Sequence, residues 1–261
     1  MYSENSSIKK ISELAFQHYQ NGNLKQAEML FKKVLEKVPN HFLSIFLLGT
    51  LSAQIKKYLI AKKLLKQAIK INPNYKEAHN NLGNVFHELG KYKDAVHCYQ
   101  KAIEIDQNFV DANYNFGNVL EKLSKNEEAL FYYQKTIKLN PNYIKAYYNL
   151  GNVFFAEQKM EEAIPNYRSA IKLIPEFIEA YINFGNALMA QKRVEEAILK
   201  YKVAIKLNPN YALSHNNLGY ALAEKGSVNE AISHYKMAIK FNPSYTDAYK
   251  NLKTAQKNLK N

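Results

Sequence analysis

Every glycine in this 261-residue chain falls on one of two places of a 34-residue period. With Ile8 as the first position of the first unit, later units open at Phe42, Lys76, Val110, Ile144, Ile178 and Ala212, and a partial eighth opens at Thr246. Six of the nine glycines then stand at position 8 (Gly49, Gly83, Gly117, Gly151, Gly185, Gly219) and the other three at position 15 (Gly22, Gly90, Gly226). Six of the seven prolines stand at position 32, where Gln107 fills the place in the third unit, and position 20 is alanine in all seven units. Self-similarity at a fixed period of this length marks a repeat architecture, and it limits the fold before any local feature does.

Within a unit, apolar or aromatic residues recur at positions 4, 7, 8 and 11 and again at 20, 24, 27 and 28, with a turn near 15 and a proline stop at 32. That spacing predicts two amphipathic helices per unit. Glycine at 8 and alanine at 20 let the paired helices approach closely, while aromatics at 24 (Phe31, Tyr99, Tyr133, Tyr167, Tyr201, Tyr235) fill the space beside them. The close packing offsets the roughly 1 kcal/mol that a glycine costs inside a helix. The last stretch, TDAYKNLKTAQKNLKN, has material for a first helix only. Its position 8 is Lys253, and with Lys250, Lys257 and Lys260 it reads as a solvating cap for the end of a stack.

This pattern resembles the tetratricopeptide repeat family, whose signature places leucine-glycine, an aromatic, alanine, an aromatic and proline at these offsets. The resemblance covers residues 8–261. It implies an all-α fold: an α-solenoid, a right-handed superhelix of seven 34-residue helix pairs with a C-terminal capping helix and a groove lined by first helices. The expected organisation is an N-terminal segment 1–7, units 8–41, 42–75, 76–109, 110–143, 144–177, 178–211 and 212–245, and a solvating helix 246–261. Three departures are local: Ala15 at a glycine position, Asn113 at an aromatic one and Pro165 early in a second helix.

On a helical wheel, positions 2, 6, 9 and 13 of each first helix lie opposite the apolar side. Asparagine fills position 6 as Asn81, Asn115, Asn149, Asn183, Asn217 and Asn251, and position 9 as Asn84, Asn118, Asn152 and Asn186. Stacked units would line these amides up as two polar ladders. An asparagine offers both donor and acceptor, so a ladder of them suits the backbone of an extended peptide. The competing reading is that the amides tie neighbouring units together; ten of them on one stripe favour the peptide track. The ladder is similar to that in the repeat region of O-linked N-acetylglucosamine transferases, where the resemblance implies that position-6 asparagines grip a substrate backbone. Position 6 is Glu13 and Leu47 in the first two units, so the ladder starts at the third. Tyr114 and Tyr148 at position 5, with Ile182, Phe155 and Met189 nearby on the wheel, are candidates to line side-chain pockets, and contact with the neighbouring unit explains them equally well. The carboxylate-clamp repeats of heat-shock co-chaperones are a poorer match, because position 2 (Glu77, Asp111, Lys145, Glu179, Leu213, Asp247) is more acidic than basic.

A net charge of +13 raises the question of a polyanion. Much of it has a simpler origin in lysines at position 29 (Lys70, Lys138, Lys172, Lys206, Lys240), where a helix dipole favours a cation, so nucleic acid is disfavoured as a partner. Catalysis and cofactors find no footing. There is no HExxH, no phosphate-binding glycine loop and no nucleophile elbow, the histidines scatter, and lone Cys98 excludes a disulfide framework or a multi-cysteine metal site. The start, MYSENSSIKK, lacks a leader pattern, and the richest apolar run, Phe42 to Leu51, is interrupted by Ser44, Gly49 and Thr50; it reads as a buried helix. Phe16, Leu43, Phe46 and Leu47 cluster on the groove side of the first units, an anchor or self-association surface unless neighbouring units or residues 1–7 cover them. The expectation is a cytoplasmic, non-catalytic scaffold that binds a protein or peptide; the alternative is the recognition module of a split or truncated transferase.

Overall fold

The computed structural model describes the backbone of residues 2–259 and the side chains of residues 7–259; the cap lysine at 260 and the side chains of residues 1–6 lie outside them. Among the described residues there are fifteen helices and no strand. The first helices of successive pairs are α1 (Tyr2–Gln20), α3 (Phe42–Gln54), α5 (Lys76–Glu88), α7 (Val110–Lys122), α9 (Ile144–Ala156), α11 (Ile178–Ala190) and α13 (Ala212–Glu224). Their partners are α2 (Leu24–Lys37), α4 (Tyr58–Ile71), α6 (Tyr92–Ile105), α8 (Asn126–Leu139), α10 (Met160–Leu173), α12 (Val194–Leu207) and α14 (Val228–Phe241), and α15 (Thr246–Asn258) ends the chain without one. The fold is the all-α solenoid class. Two compact units divide it, one ending at Leu139 and the other beginning at Asn140, and each is a stack of helix pairs.

Residues 2–7, set apart in the sequence reading, are continuous with α1. No proline or glycine interrupts YSENSSIKK, so nothing breaks the helix before Ile8. The apolar run from Phe42 is helical, and α3 buries Ile45, Phe46, Leu47, Leu48 and Leu51.

Packing inside a pair follows the repeat. Alanine at position 20 is fully buried in all seven units. The glycine at position 8 faces the position-24 ring of its own pair: a Cβ built at Gly83, Gly117, Gly151, Gly185 or Gly219 would stand 2.4–2.8 Å from Cε1 of Tyr99, Tyr133, Tyr167, Tyr201 or Tyr235. The ring does not merely fill space beside the glycine; it occupies the place of the missing side chain. Gly49 faces Leu65 instead, at a looser 3.1 Å.

Two turns set the pairs. Position 15 adopts left-handed backbone in every unit, at Gly22, Gly90 and Gly226 and also at Lys56, Ser124, Gln158 and Lys192 with φ of 58–60°. This closes the first helix and reverses the chain. At position 31, Asn72, Asp106, Asn140, Asn208 and Asn242 accept from the backbone N–H two residues on, which turns the chain toward the next first helix. Position 4 then anchors that turn. His79 and His215 bond the carbonyls of Pro73 and Pro209 through Nε2, at 2.8 and 2.9 Å. Buried Asn113 does the same for Gln107 O at 3.2 Å, so a short amide replaces the ring there without losing the anchor.

Candidate functional site

Within each of the two compact units, first helices of adjacent pairs come into contact, α3 with α5 and α5 with α7 in one, α9 with α11, α11 with α13 and α13 with α15 in the other. The wheel places positions 6 and 9 on this seam, and the structure finds Asn81, Asn84, Asn115, Asn118, Asn149, Asn152, Asn183, Asn186 and Asn217 half-buried. Several of them bond in a repeated pattern to the preceding first helix. The position-6 amide donates backward by 31 or 35 residues: Asn81 to Thr50 Oγ1 (3.1 Å), Asn115 to Asn80 Oδ1 (3.0 Å), Asn183 to Asn152 Oδ1 (2.9 Å) and to the Tyr148 hydroxyl (3.0 Å), and Asn217 to Asn186 Oδ1 (3.0 Å). Asn251 of α15 closes on Asn216 Oδ1 at 3.0 Å. The stitching between helix pairs that ranked second in the sequence reading is therefore made.

The position-9 amide has a second partner, within its own pair. The hydroxyls of Tyr99, Tyr133, Tyr167 and Tyr201 donate to Oδ1 of Asn84, Asn118, Asn152 and Asn186 at 2.8, 2.8, 3.0 and 2.8 Å. Position 24 thus does two things: its ring fills the glycine gap, and its hydroxyl fixes the amide on the seam. Sequence reasoning assigned it the first alone. The signal was present, since all four units with asparagine at 9 have tyrosine at 24, whereas Phe16 and Thr50 face Phe31 and Leu65.

Burial holds three of these phenols neutral. The Tyr99, Tyr167 and Tyr201 hydroxyls are pushed far above the ordinary phenol range by desolvation, and Tyr235 is pushed up to about 12, with burial as the largest cause. Tyr148 is raised as well, chiefly by burial, and its ring packs on Phe177 with centroids 4.8 Å apart. Tyr114 is half-buried, 5.9 Å from the Tyr133 ring. Both position-5 tyrosines thus sit partly under neighbouring rings.

Two cavities open along the seam. One, of about 340 Å³, is lined by Asn84, His87, Glu88, Tyr99, Asn115 and Asn118. The other, of about 430 Å³, has Asn186, Asn217, Asn251, Tyr220, Tyr245 and Asp247 among its walls. A third, of about 480 Å³, lies against Phe131, Lys135 and Lys138 of α8. In the N-terminal cluster, Phe46 and Leu47 are buried, with Phe46 edge-on to Tyr75, whereas Phe16 and Leu43 are exposed.

Among the described residues no three His, Cys, Asp or Glu side chains converge as a metal site, and no helix is long and apolar enough to cross a membrane. Cys98 is buried, its thiol pushed up to about 12 mainly by desolvation, so it stays protonated at neutral pH.

Among curated proteins none matches the chain. Among solved structures, MamA is 27% identical with a TM-score of 0.57, over 63% of this chain and 90% of that one. YrrB, described as a TPR protein with an unusual peptide-binding site, is 24% identical with a TM-score of 0.63, over 72% and 97%. The C-terminal part of a TPR repeat-containing protein from Cytophaga hutchinsonii is 20% identical with a TM-score of 0.73, over 92% and 99%. The model of the TPR repeat matches residues 57–90, 83–124, 122–158, 151–191, 185–226 and 219–258, well over half of the sequence. With the same repeat evident in period, helix pairs and glycine-ring packing, the chain belongs to the TPR repeat family.

Proposed function

We propose that this chain is a cytoplasmic, non-catalytic protein-interaction scaffold built of seven 34-residue units. In this reading its first-helix seam binds an extended peptide through Asn81, Asn84, Asn115, Asn118, Asn149, Asn152, Asn183, Asn186 and Asn217, with Tyr114 and Tyr148 beside them. The observation that carries the reading is that Asn183, Asn186 and Asn217 are half-buried and held in place while only part of their hydrogen-bonding capacity is engaged. An asparagine has two N–H groups and two acceptor lone pairs. Asn183 uses its nitrogen on Asn152 and Tyr148, and Asn186 uses its oxygen on Tyr201 and Asn217. One therefore keeps an acceptor and the other keeps donors, the complement of a peptide unit. Fixed dipoles of this kind bind without the entropy loss of ordering a loose side chain. The similarity to the ladder of O-linked N-acetylglucosamine transferases, and a peptide-binding site on the related fold of YrrB, support the same assignment.

Because the amides also join helix pairs, alanine substitution alone mixes binding with folding. The test is photo-crosslinking: a peptide selected on the wild-type protein from a random display library carries a photoreactive residue, and the crosslinks are mapped by mass spectrometry. Crosslinks on α5, α7, α9, α11 or α13 are expected. Crosslinks confined to second helices, such as Phe131 and Lys135 on α8, reject the track.

A further inference from the structure

The chain carries a net charge of +13, yet its two kinds of helix do not share that charge. From α3 to α13 the first helices hold three lysines (Lys76, Lys122, Lys145) against six acids (Glu77, Glu88, Asp111, Glu121, Glu179, Glu224). From α4 to α14 the second helices hold fifteen Lys or Arg against nine acids. Lys76 is already engaged by Asp106 at 2.6 Å, and α15, which brings Asp247 to the second cavity, also brings Lys250, Lys253 and Lys257.

The cavities repeat this division. Glu88 lines the cavity between α5 and α7, where its carboxylate accepts from the Tyr58 hydroxyl at 3.2 Å and stands 3.6 Å from His87 Nδ1. Asp247 lines the cavity between α13 and α15, in an ion pair of 3.4 Å with Lys250. That pair is open to solvent on both sides, at 71% and 67% exposure, so it contributes little and yields readily to a competing cation. Neither cavity is lined by lysine or arginine, whereas the α8 cavity has Lys135 and Lys138. A carboxylate set in a concavity among amide dipoles concentrates negative potential there. Beside Asp247, the rings of Tyr220 and Tyr245 add faces on which a cation is attracted.

We propose that the first-helix seam of each compact unit takes a cationic segment of a partner protein, with a Lys or Arg side chain directed to Glu88 in the first and to Asp247 in the second. This rests on the reading of the seam as a peptide track and adds what the track prefers. A polyanion is the wrong partner for these cavities, because its phosphates would meet the carboxylates.

Selection of random peptides on the full chain tests it, since the two faces of the molecule call for opposite results. Net charge alone enriches acidic peptides; the seam enriches peptides rich in Lys or Arg. For a selected peptide, replacing its cations by glutamine is expected to weaken binding roughly tenfold, the scale of one charge-assisted contact. In the Glu88→Gln/Asp247→Asn protein, the cationic and glutamine peptides are expected to bind alike. The peptide-side substitutions leave the fold of the protein untouched, and circular dichroism checks the double variant. Enrichment of acidic peptides overturns the proposal. Equal binding of cationic and glutamine peptides overturns the charge preference and leaves the track standing, while no enrichment of any sequence removes both.

Discussion

Helices α1–α4 and α5–α8 share one framework and differ in the chemistry of its inner seam. In the first group positions 6, 9 and 24 are Glu13, Phe16 and Phe31, then Leu47, Thr50 and Leu65; in the second they are Asn81, Asn84 and Tyr99, then Asn115, Asn118 and Tyr133. The apolar seam is closed by burial of Phe46 and Leu47, without directional bonds from position 24. The polar seam is closed by hydroxyl-to-amide and amide-to-amide bonds that fix each side chain. The same fold is thus reached twice, and of the two routes only the second fixes a seam amide by a hydroxyl at position 24. Burial alone builds the solenoid; the tyrosine hydroxyl is an addition that serves the seam.

The largest expected consequence of the difference is alkaline sensitivity. The phenols of Tyr99, Tyr167, Tyr201 and Tyr235 have folded-state pKa values above the unfolded value of about 10, so their contribution to stability is complete below pH 10 and is lost as pH rises toward the folded values. For Tyr235 that window ends near 12. Phe31 and Leu65 have nothing to ionise at this position. Helix content followed by circular dichroism is expected to collapse above pH 10 together with the tyrosinate absorbance of the buried rings. Full ionisation of all tyrosines with helix content intact would show that these phenols are not desolvated.

Next in size is Gly185→Ala. Its Cβ would lie 2.4 Å from Cε1 of Tyr201, a rigid ring that is itself buried. Overpacking of this kind costs about 1–3 kcal/mol against a helix gain of about 1 kcal/mol, so a net loss of up to about 2 kcal/mol is expected from the urea midpoint. Adding Tyr201→Leu, which copies the Gly49 and Leu65 pairing, is expected to relieve the clash. No relief would place the conflict elsewhere than the ring.

Tyr201→Phe separates the two roles of position 24. The ring stays and the bond to Asn186 goes, a loss of about 1 kcal/mol, with Asn186 still held by Asn217. The reverse change, Phe31→Tyr, buries a hydroxyl opposite Phe16, where no asparagine is available, and is expected to destabilise by a similar amount. A stabilising Phe31→Tyr would mean that the seam of α1–α4 already holds a polar partner.

The period made the helix pairs legible, because glycine, alanine and proline are tied to backbone needs that recur in each unit. The seam was legible in position but not in bonding. A wheel gives direction from one helix, whereas the partners of Asn183 lie 31 and 35 residues back on another. Asn113 shows the same limit, for its place at an aromatic position read as a departure until Gln107 O supplied the bond. Position 15 was only half visible, since Lys56, Ser124, Gln158 and Lys192 adopt the left-handed turn without the glycine that advertises it.

The smallest effect, and the one that decides why position 8 is glycine, is expected for Gly49→Ala in α3. If helix approach alone demanded glycine, alanine would be as harmful here as at Gly185. The structure instead puts the new Cβ 3.1 Å from Leu65 Cγ and 3.2 Å from Leu64 Cβ, contacts that a shift of a few tenths of an ångström relieves. Against that stands the helix preference of alanine over glycine, roughly 1 kcal/mol in its favour. The two terms nearly cancel, so the urea midpoint is expected to stay within about 1 kcal/mol of wild type. A loss as large as that of Gly185→Ala would transfer the cause from the tyrosine ring to the helix backbones, and with it the reason that glycine and tyrosine recur together.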